Sequence, residues 1–423
     1  MQFTIVADGF RKALSPVYDV ATKCSIKDWI SENRIAFNTH NKKTIFRAYN
    51  GRIAIQTTLS ELDDQGTQYR YGQDGDVVVN AKDLINILKS FPSNAVIICE
   101  KKGKELCIKM RDDTDQFQTM PCYDDDLTFP AKPSTFKKTI DINRLLFLAG
   151  LSKIFFAIGY EAEREKYLYW VLRFNKDFVR FAAGTGAIFA VADFEGKDII
   201  TSVPNKDYIL LNKEHTIVLQ KVLESTISEA MKIQESNDSA KDSFQILITL
   251  GNIEMQLIGM NPDIDWIDEN TFLNLDYSHK IITKTTDWEY AGRGVVATFN
   301  DEMKRERRNS KTTVELSQDK ATLFVQSSDL MKAKRKVEVI DYSNVNNEDT
   351  FAFSCSSVYI PFLARLSEED GLIQIEKFSE NDKKPIIVRY YADNTAKDRK
   401  DVKKVNSVTG YIEKLCIFFA QMS

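Results

Sequence analysis

Short apolar blocks dominate this chain, and helical spacing interrupts them at intervals. The opening QFTIV predicts a strand. Phe10, Leu14, Val17, Tyr18 and Ala21 then recur at helical spacing, which predicts a helix from Phe10 to Lys23. Strand-like runs follow at RIAFN, KTIFRAY and RIAIQTTL. After the turn residues Asp74-Gly75, DVVVN leads into a helix, AKDLINILKSF, that Pro92 stops. A hairpin closes the set, with AVIICE and ELCIKM joined through KKGK.

The same order then recurs. KTIDI and the helical NRLLFLAGLSKIFFAI precede three strands, KYLYWVLRF, FVRFAA and AIFAVAD; DYILLN leads into the helix KEHTIVLQKVLESTI, and FQILITL and IEMQLIG follow a polar insert. A third round opens with KIITK and a long candidate helix from Thr286 through WEYAGRGVVATFNDEMKRERR. It continues through TTVELS, ATLFVQ, TFAFSC, the helix VYIPFLARLSEE and the strands GLIQIEKF, PIIVRYY and KLCIFFA. Order and hydrophobic pattern repeat while sequence identity between the copies is negligible. The expected fold class is α+β: three repeated domains, 1–137, 138–272 and 273–423, each with two helices packed on antiparallel sheets. In the middle copy, VRFAAGTGAIFAVAD (Val179 to Asp193) reads as strand, glycine turn, strand.

Composition narrows the function. The chain has 423 residues and is 43% hydrophobic, enough for sizeable cores; 57 basic against 61 acidic side chains leave a net charge of -4, so overall charge does not announce a nucleic-acid partner. Six scattered cysteines, without CxxC spacing, point to buried free thiols and a reducing compartment. No apolar run approaches the roughly 20 residues that span a bilayer, so a cytoplasmic protein without a membrane partner is expected. Three histidines, none near a cysteine or a second histidine in sequence, argue against zinc, and no metal or other cofactor is expected. The chain lacks GxSxG, HExxH, a phosphate loop and a dinucleotide fingerprint, and no acid, base or nucleophile set can be named, so no catalytic residues are expected. Acidic clusters such as Asp112-Asp113 and Asp124-Asp125-Asp126 read as solvated loop charge.

Basic residues do recur on the predicted helices. Arg11, Lys12 and Lys23 fall on the first, Lys82 and Lys89 on the second, Arg144 and Lys153 on the third, Lys213 and Lys221 on the fourth. Arg293, Lys304, Arg305, Arg307 and Arg308 fall on the fifth, and Arg365 on the sixth. Arg293, Lys304 and Arg308 share one helical face; Asp19 shares the face of Lys12 and Lys23, which is therefore not purely basic. Helices turned to one surface would make a cationic track that attracts phosphates without reading bases. Taken singly, each of these residues reads more simply as an ordinary solvated position.

With this order of elements the sequence resembles the bacterial DNA polymerase III beta subunit, the sliding clamp. MQFTIVADGFRKAL is similar to that family's first strand and helix, DVVVNAKDLINILKSFP to its second-helix motif, and QFQTMPCYDDDLTFP to the segment that closes its first domain. The resemblance implies clamp-type domains that form a ring as a homodimer, head to tail, around double-stranded DNA. It implies no catalytic activity, and partners (a DNA polymerase and a clamp loader) that dock short hydrophobic peptides. With such a ring, the basic helix residues Arg11, Lys12, Lys23, Lys82, Lys89, Arg144, Lys153, Lys213, Lys221, Arg293, Lys304 and Arg308 are the expected DNA contacts. The resemblance implies a peptide pocket from Leu168, Gly184, Gly186, Ile188 and Phe189 with Pro385, Phe418, Phe419 and Met422, and a subunit interface between the strand near Phe117 and the start of the third domain. The family's Thr-Asp-Gly-basic turn is replaced here by Gly184-Thr185-Gly186-Ala187, its C-terminal end reads FFAQMS, and Trp266 competes with Asn261-Pro262-Asp263 for one family segment. These departures point to a pocket adapted to different partners. A non-catalytic scaffold without a DNA role is the competing class.

Overall fold

A computed structural model describes residues 1–22, 33–61, 68–124, 128–159, 165–185, 188–196, 199–200, 207–237, 244–260, 264–266, 268–269, 273, 279–296, 311–317, 320–326, 332–344, 350–356, 372–377, 386–391, 404–405 and 412–419. In chain order the elements begin β1 (Gln2–Val6), α1 (Ala7–Thr22), β2 (Arg34–His40), β3 (Lys43–Tyr49), β4 (Ile53–Ser60), β5 (Arg70–Gln73), β6 (Gly75–Asn80), α2 (Ala81–Ser90), β7 (Val96–Lys102), β8 (Glu105–Met110) and β9 (Phe117–Pro121). Next come β10 (Phe136–Asn143), α3 (Arg144–Ile154), β11 (Tyr169–Asn175), β12 (Phe178–Gly184), β13 (Ile188–Glu195), β14 (Asp207–Asn212), α4 (Lys213–Ser225), β15 (Ala230–Ser236), β16 (Gln245–Leu250) and β17 (Ile253–Ile258). The last round is β18 (His279–Lys284), α5 (Thr285–Val296), β19 (Lys311–Ser317), β20 (Lys320–Gln326), β21 (Lys332–Asn344), β22 (Thr350–Ser356), β23 (Leu372–Lys377), β24 (Ile386–Tyr391), β25 (Lys404–Val405) and β26 (Ile412–Phe419).

The elements fall into two compact units. The first is built chiefly from Met1–Arg144 and Leu211–Asp263, the second from Leu145–Ile200, Pro204–Leu210 and Ile264–Ser423. The stretch 138–272 contributes to both. The predicted helix beyond Val296 and the one over VYIPFLARLSEE lie outside the described residues.

The first unit holds a five-stranded sheet, β5-β1-β7-β8-β9, and an eight-stranded sheet, β10-β15-β16-β17-β4-β3-β2-β6. Its core is aromatic: Phe3, Phe10, Phe37 and Phe46 are fully buried, and Phe37 meets Phe46 edge-on with ring centroids 4.9 Å apart. α1 delivers Phe10 into that cluster from its apolar stripe. α2 starts where Asn80 caps it, the side chain accepting from the backbone N–H of Lys82 and Asp83; α4 starts likewise, with Asn212 accepting from Glu214 N–H. Asparagine therefore ends the strand and opens the helix at the same place in both copies.

In the second unit the strands run β14-β11-β12-β13-β26-β24-β23-β18-β21-β20-β19-β22, with β25 beside β26. Phe147 of α3, Trp170, Phe181 and Phe194 form its main aromatic core. Gly150 of α3 lies against the Phe181 ring so closely that a Cβ would collide with it, which is why this helix can settle on the sheet.

The repeat read from the sequence reappears as connectivity. β6-β2-β3-β4 joins β17-β16-β15-β10, and β14-β11-β12-β13 joins β26-β24-β23-β18, in identical order. Both joints are antiparallel. β4 pairs β17 through Ile53, Ala54 and Ile55 against Leu257, Gln256 and Met255, and β13 pairs β26 from Ile188↔Phe419 to Glu195↔Ile412.

Candidate nucleic-acid interface and peptide pocket

Two of the helix arginines expected to meet phosphate, Arg11 and Arg144, are occupied elsewhere. Arg11 donates to the carbonyls of Leu88 (2.9 Å) and Phe91 (3.3 Å) and to Ser93 Oγ (2.8 Å), so it closes the C-terminal end of α2. Arg144 donates to the carbonyls of Leu223 (2.7 Å) and Ser228 (2.9 Å) and does the same for α4. A guanidinium there satisfies carbonyls that the helix leaves unpaired and complements the negative end of its dipole. Lys213, the first residue of α4, is only 5% exposed. It sits directly after the capping Asn212, on the face that packs inward.

Exposed cations do exist, and several have a carboxylate beside them. Lys12 pairs with Asp8 at 2.8 Å, one helical turn away, and holds that carboxyl below its ordinary pKa. Lys221 of α4 reaches Asp19 of α1 at 3.6 Å, and Arg293 pairs with Glu289 on α5. Lys153 is half-buried. Lys82 and Lys89 of α2 are exposed and make no ion pair among the described residues. Lys23, Lys304, Arg305, Arg307, Arg308 and Arg365 lie outside the described residues. The described helices thus present a mixed surface on which α2 carries the uncompensated charge.

The expected peptide pocket is better gathered. Ile188 and Phe189 begin β13, and the ladder sets them opposite Phe419 and Phe418 of β26, which in turn face Ile386 and Ile387 of β24. Leu168 ends a short 3-10 turn just before β11, whose Trp170 faces Ala183, so it stands at the same end of the sheet as Gly184 and Thr185. Gly184 lets the Phe189 ring lie directly on the backbone, where a Cβ would collide with it. Thr185 closes the turn by donating its N–H to Ile188 O at 2.7 Å. Ile188 and Phe189 are buried; Gly186, Pro385 and Met422 lie outside the described residues, as do the side chains of Phe418 and Phe419.

Trp266, which in the sequence competes with Asn261-Pro262-Asp263 for one family segment, lies beside this turn, and Glu269 had no assigned role. Trp266 places its ring 6.4 Å from that of Phe189, and its indole N–H is buried without a hydrogen-bond partner. Farther along, Glu269 is fully buried and pairs with Arg173 and, at 3.7 Å, with Arg180. Arg180 also grips Asp193 with two bonds of 2.7 Å each. A cleft of about 740 Å³ opens at this charged end, lined by Arg173, Asn175, Phe178, Arg180, Tyr208 and Asp268 among others. Cross-strand Arg180 and Asp193 were visible in VRFAAGTGAIFAVAD; the long-range partner Glu269 had no local signal.

No protein-family profile matches this sequence, and no curated protein matches it. Solved structures do. The DNA polymerase III beta subunit of Pseudomonas aeruginosa aligns with a TM-score of 0.76 at 14% identity, covering 100% of both chains. That of Streptococcus pyogenes gives 0.77 at 14% identity over 100% of both. The beta chain of Streptococcus pneumoniae gives 0.78 at 12% identity, covering 100% of this chain and 99% of that one. This chain has the sliding-clamp fold. The α+β architecture expected from the sequence is therefore correct over the whole length. Among the described residues no group of histidine, cysteine or carboxylate side chains could hold a metal ion, and no helix is long and apolar enough to cross a membrane.

Proposed function

We propose that this protein is a DNA sliding clamp: a non-catalytic homodimeric ring that encircles duplex DNA and tethers a polymerase and other partners through hydrophobic peptides. The observation that carries this reading is the full-length agreement with clamp structures. The division into three clamp domains, 1–137, 138–272 and 273–423, belongs to the same proposal and is supported by the repeated sheet order. The peptide pocket lies where Ile188, Phe189, Phe418 and Phe419 come together, with Trp266 as an added aromatic wall. Apolar walls with a single unpaired indole N–H suit a peptide whose anchors are apolar and whose backbone offers one carbonyl.

The DNA contact in this reading is electrostatic and centred on Lys82 and Lys89 of α2. Compensated cations elsewhere favour a ring that holds DNA by topology more than by affinity. They also keep the scaffold reading in play, because a surface of paired charges needs no phosphate partner. One experiment separates the two. Dimers dissociated and allowed to reassociate with circular duplex should stay bound through gel filtration in high salt, and a single cut in the circle should release them. Loss from intact circles in high salt, with binding insensitive to topology, would leave the scaffold reading.

A further inference from the structure

The cleft at the charged end of β11 and β12 plays no part in the clamp reading. Its two arginines stand opposite each other in the ladder, Arg173 on β11 and Arg180 on β12, and Arg180 stands opposite Asp193 of β13. Arg180 and Gly184 alternate onto one face of β12, four residues apart, so the cleft lies about 13 Å along the strand from the glycine turn. Its volume, about 740 Å³, has room for a long side chain and the backbone that carries it.

Two guanidiniums in one cleft would draw an anion, but that place is taken. Glu269 is fully buried and accepts two bonds from Arg173, one of them 3.2 Å, and it pairs with Arg180 at 3.7 Å, while Asp193 grips Arg180 from the other side. An incoming anion would have to displace a carboxylate already desolvated against both arginines, which is costly. The rim has the opposite sign. Asp268 is exposed and Asp207 half-buried, so four carboxylates stand against two arginines; Lys176 and Asp177 at the hairpin tip offset each other. The walls are aromatic. Arg173 lies over the Tyr208 ring at 5.3 Å and Arg180 over the Phe178 ring at 5.2 Å, yet Tyr208 remains 40% exposed. An exposed ring beside carboxylates suits a cation carried on an apolar stem.

We infer that this cleft is a second docking site, for an arginine side chain presented by a partner protein, its guanidinium held by Asp268 and Asp207 and its plane laid on Tyr208. Arginine fits better than lysine because a planar fork meets a carboxylate and stacks on a ring at once. The site is separate from the apolar pocket and selects by charge rather than by apolar surface. Added salt therefore weakens it.

Saturation-transfer NMR on the full chain tests this with acetylated, amidated pentapeptides of alanine whose central residue is arginine, lysine, glutamine or glutamate. The arginine peptide should bind with a dissociation constant on the order of 1 mM, the lysine peptide about threefold more weakly, and the other two not measurably. Asp268→Asn and Tyr208→Ala, both at exposed positions, should each weaken the arginine peptide about fivefold with unchanged thermal unfolding. Asp112→Asn, an exposed carboxylate on the other compact unit, should leave it unchanged. An arginine peptide that does not bind, or that loses as much from Asp112→Asn as from Asp268→Asn, would overturn the site. A glutamate peptide that binds, and binds tighter after Asp268→Asn, would make the cleft an anion site and overturn the assigned ligand. The ring reading rests on other residues and stands or falls separately.

Discussion

The joints inside the chain and the exposed start of β21 are built from different materials. At the β4–β17 joint Ala54, Ile55 and Leu257 are fully buried, and at the β13–β26 joint Ala190, Ala192 and Ile417 are as well. Burial of that much apolar surface is insensitive to salt and opens only with unfolding. The start of β21 carries Lys334, Arg335 and Lys336, all exposed, charges of the kind that keep a sheet edge soluble. The difference teaches that the joints inside the chain are built to stay closed, while exposed charge is kept for strand stretches outside them.

The most damaging way to break the contrast is to put charge into an internal joint. Ile55→Asp buries a carboxylate between β3 and β17 and should cost about 4 kcal/mol or more, enough to abolish cooperative unfolding near ambient temperature by calorimetry. Acid should act on the same joint. His215 of α4 is buried, and burial together with the Arg52 guanidinium pushes its pKa down to about 4 from 6.5. Arg52 also ends this joint, accepting at its carbonyl from Ile258 N–H at 2.8 Å. The folded protein keeps His215 neutral while the unfolded chain protonates it. Its stabilising share is therefore complete above about pH 6.5 and is lost as pH falls toward 4, about 3 kcal/mol in all. His215→Gln should flatten the denaturant midpoint across that pH window.

Smaller changes sharpen the contrast between cations that hold the fold and cations that remain available. Arg144→Met strips two carbonyls at the end of α4 and should lower stability by about 2 kcal/mol in urea titrations. Lys82→Ala and Lys89→Ala should leave stability within about 0.5 kcal/mol and lower the salt slope of DNA binding by about one each. Equal effects of Arg144 and Lys89 on both measurements would contradict that division of labour.

Much of this fold was legible because period and punctuation act locally. QFTIV, DVVVN and DYILLN became β1, β6 and the strand before α4, and the asparagine ending each of the last two caps the helix that follows. The glycine turn and the C-terminal apolar run, read from the sequence as far-apart stretches, lie on neighbouring strands, β13 and β26. What stayed hidden depends on partners far away in sequence. Arg11 and Leu88 are 77 residues apart, Arg144 and Leu223 are 79, so a lysine or arginine on a predicted helix face cannot disclose that it reaches a carbonyl. Lys213 was read as solvated because charge suggests exposure, but its place one residue after the cap turns it inward. The segment 264–269, with Trp266 and Glu269, has no period at all and takes its place from what it covers.

Class-averaged electron microscopy at several protein concentrations tests the central claim most directly. The account predicts closed rings of two subunits, with a hole wide enough for duplex DNA. Compact particles without a hole, at concentrations where the dimer is populated, would contradict it.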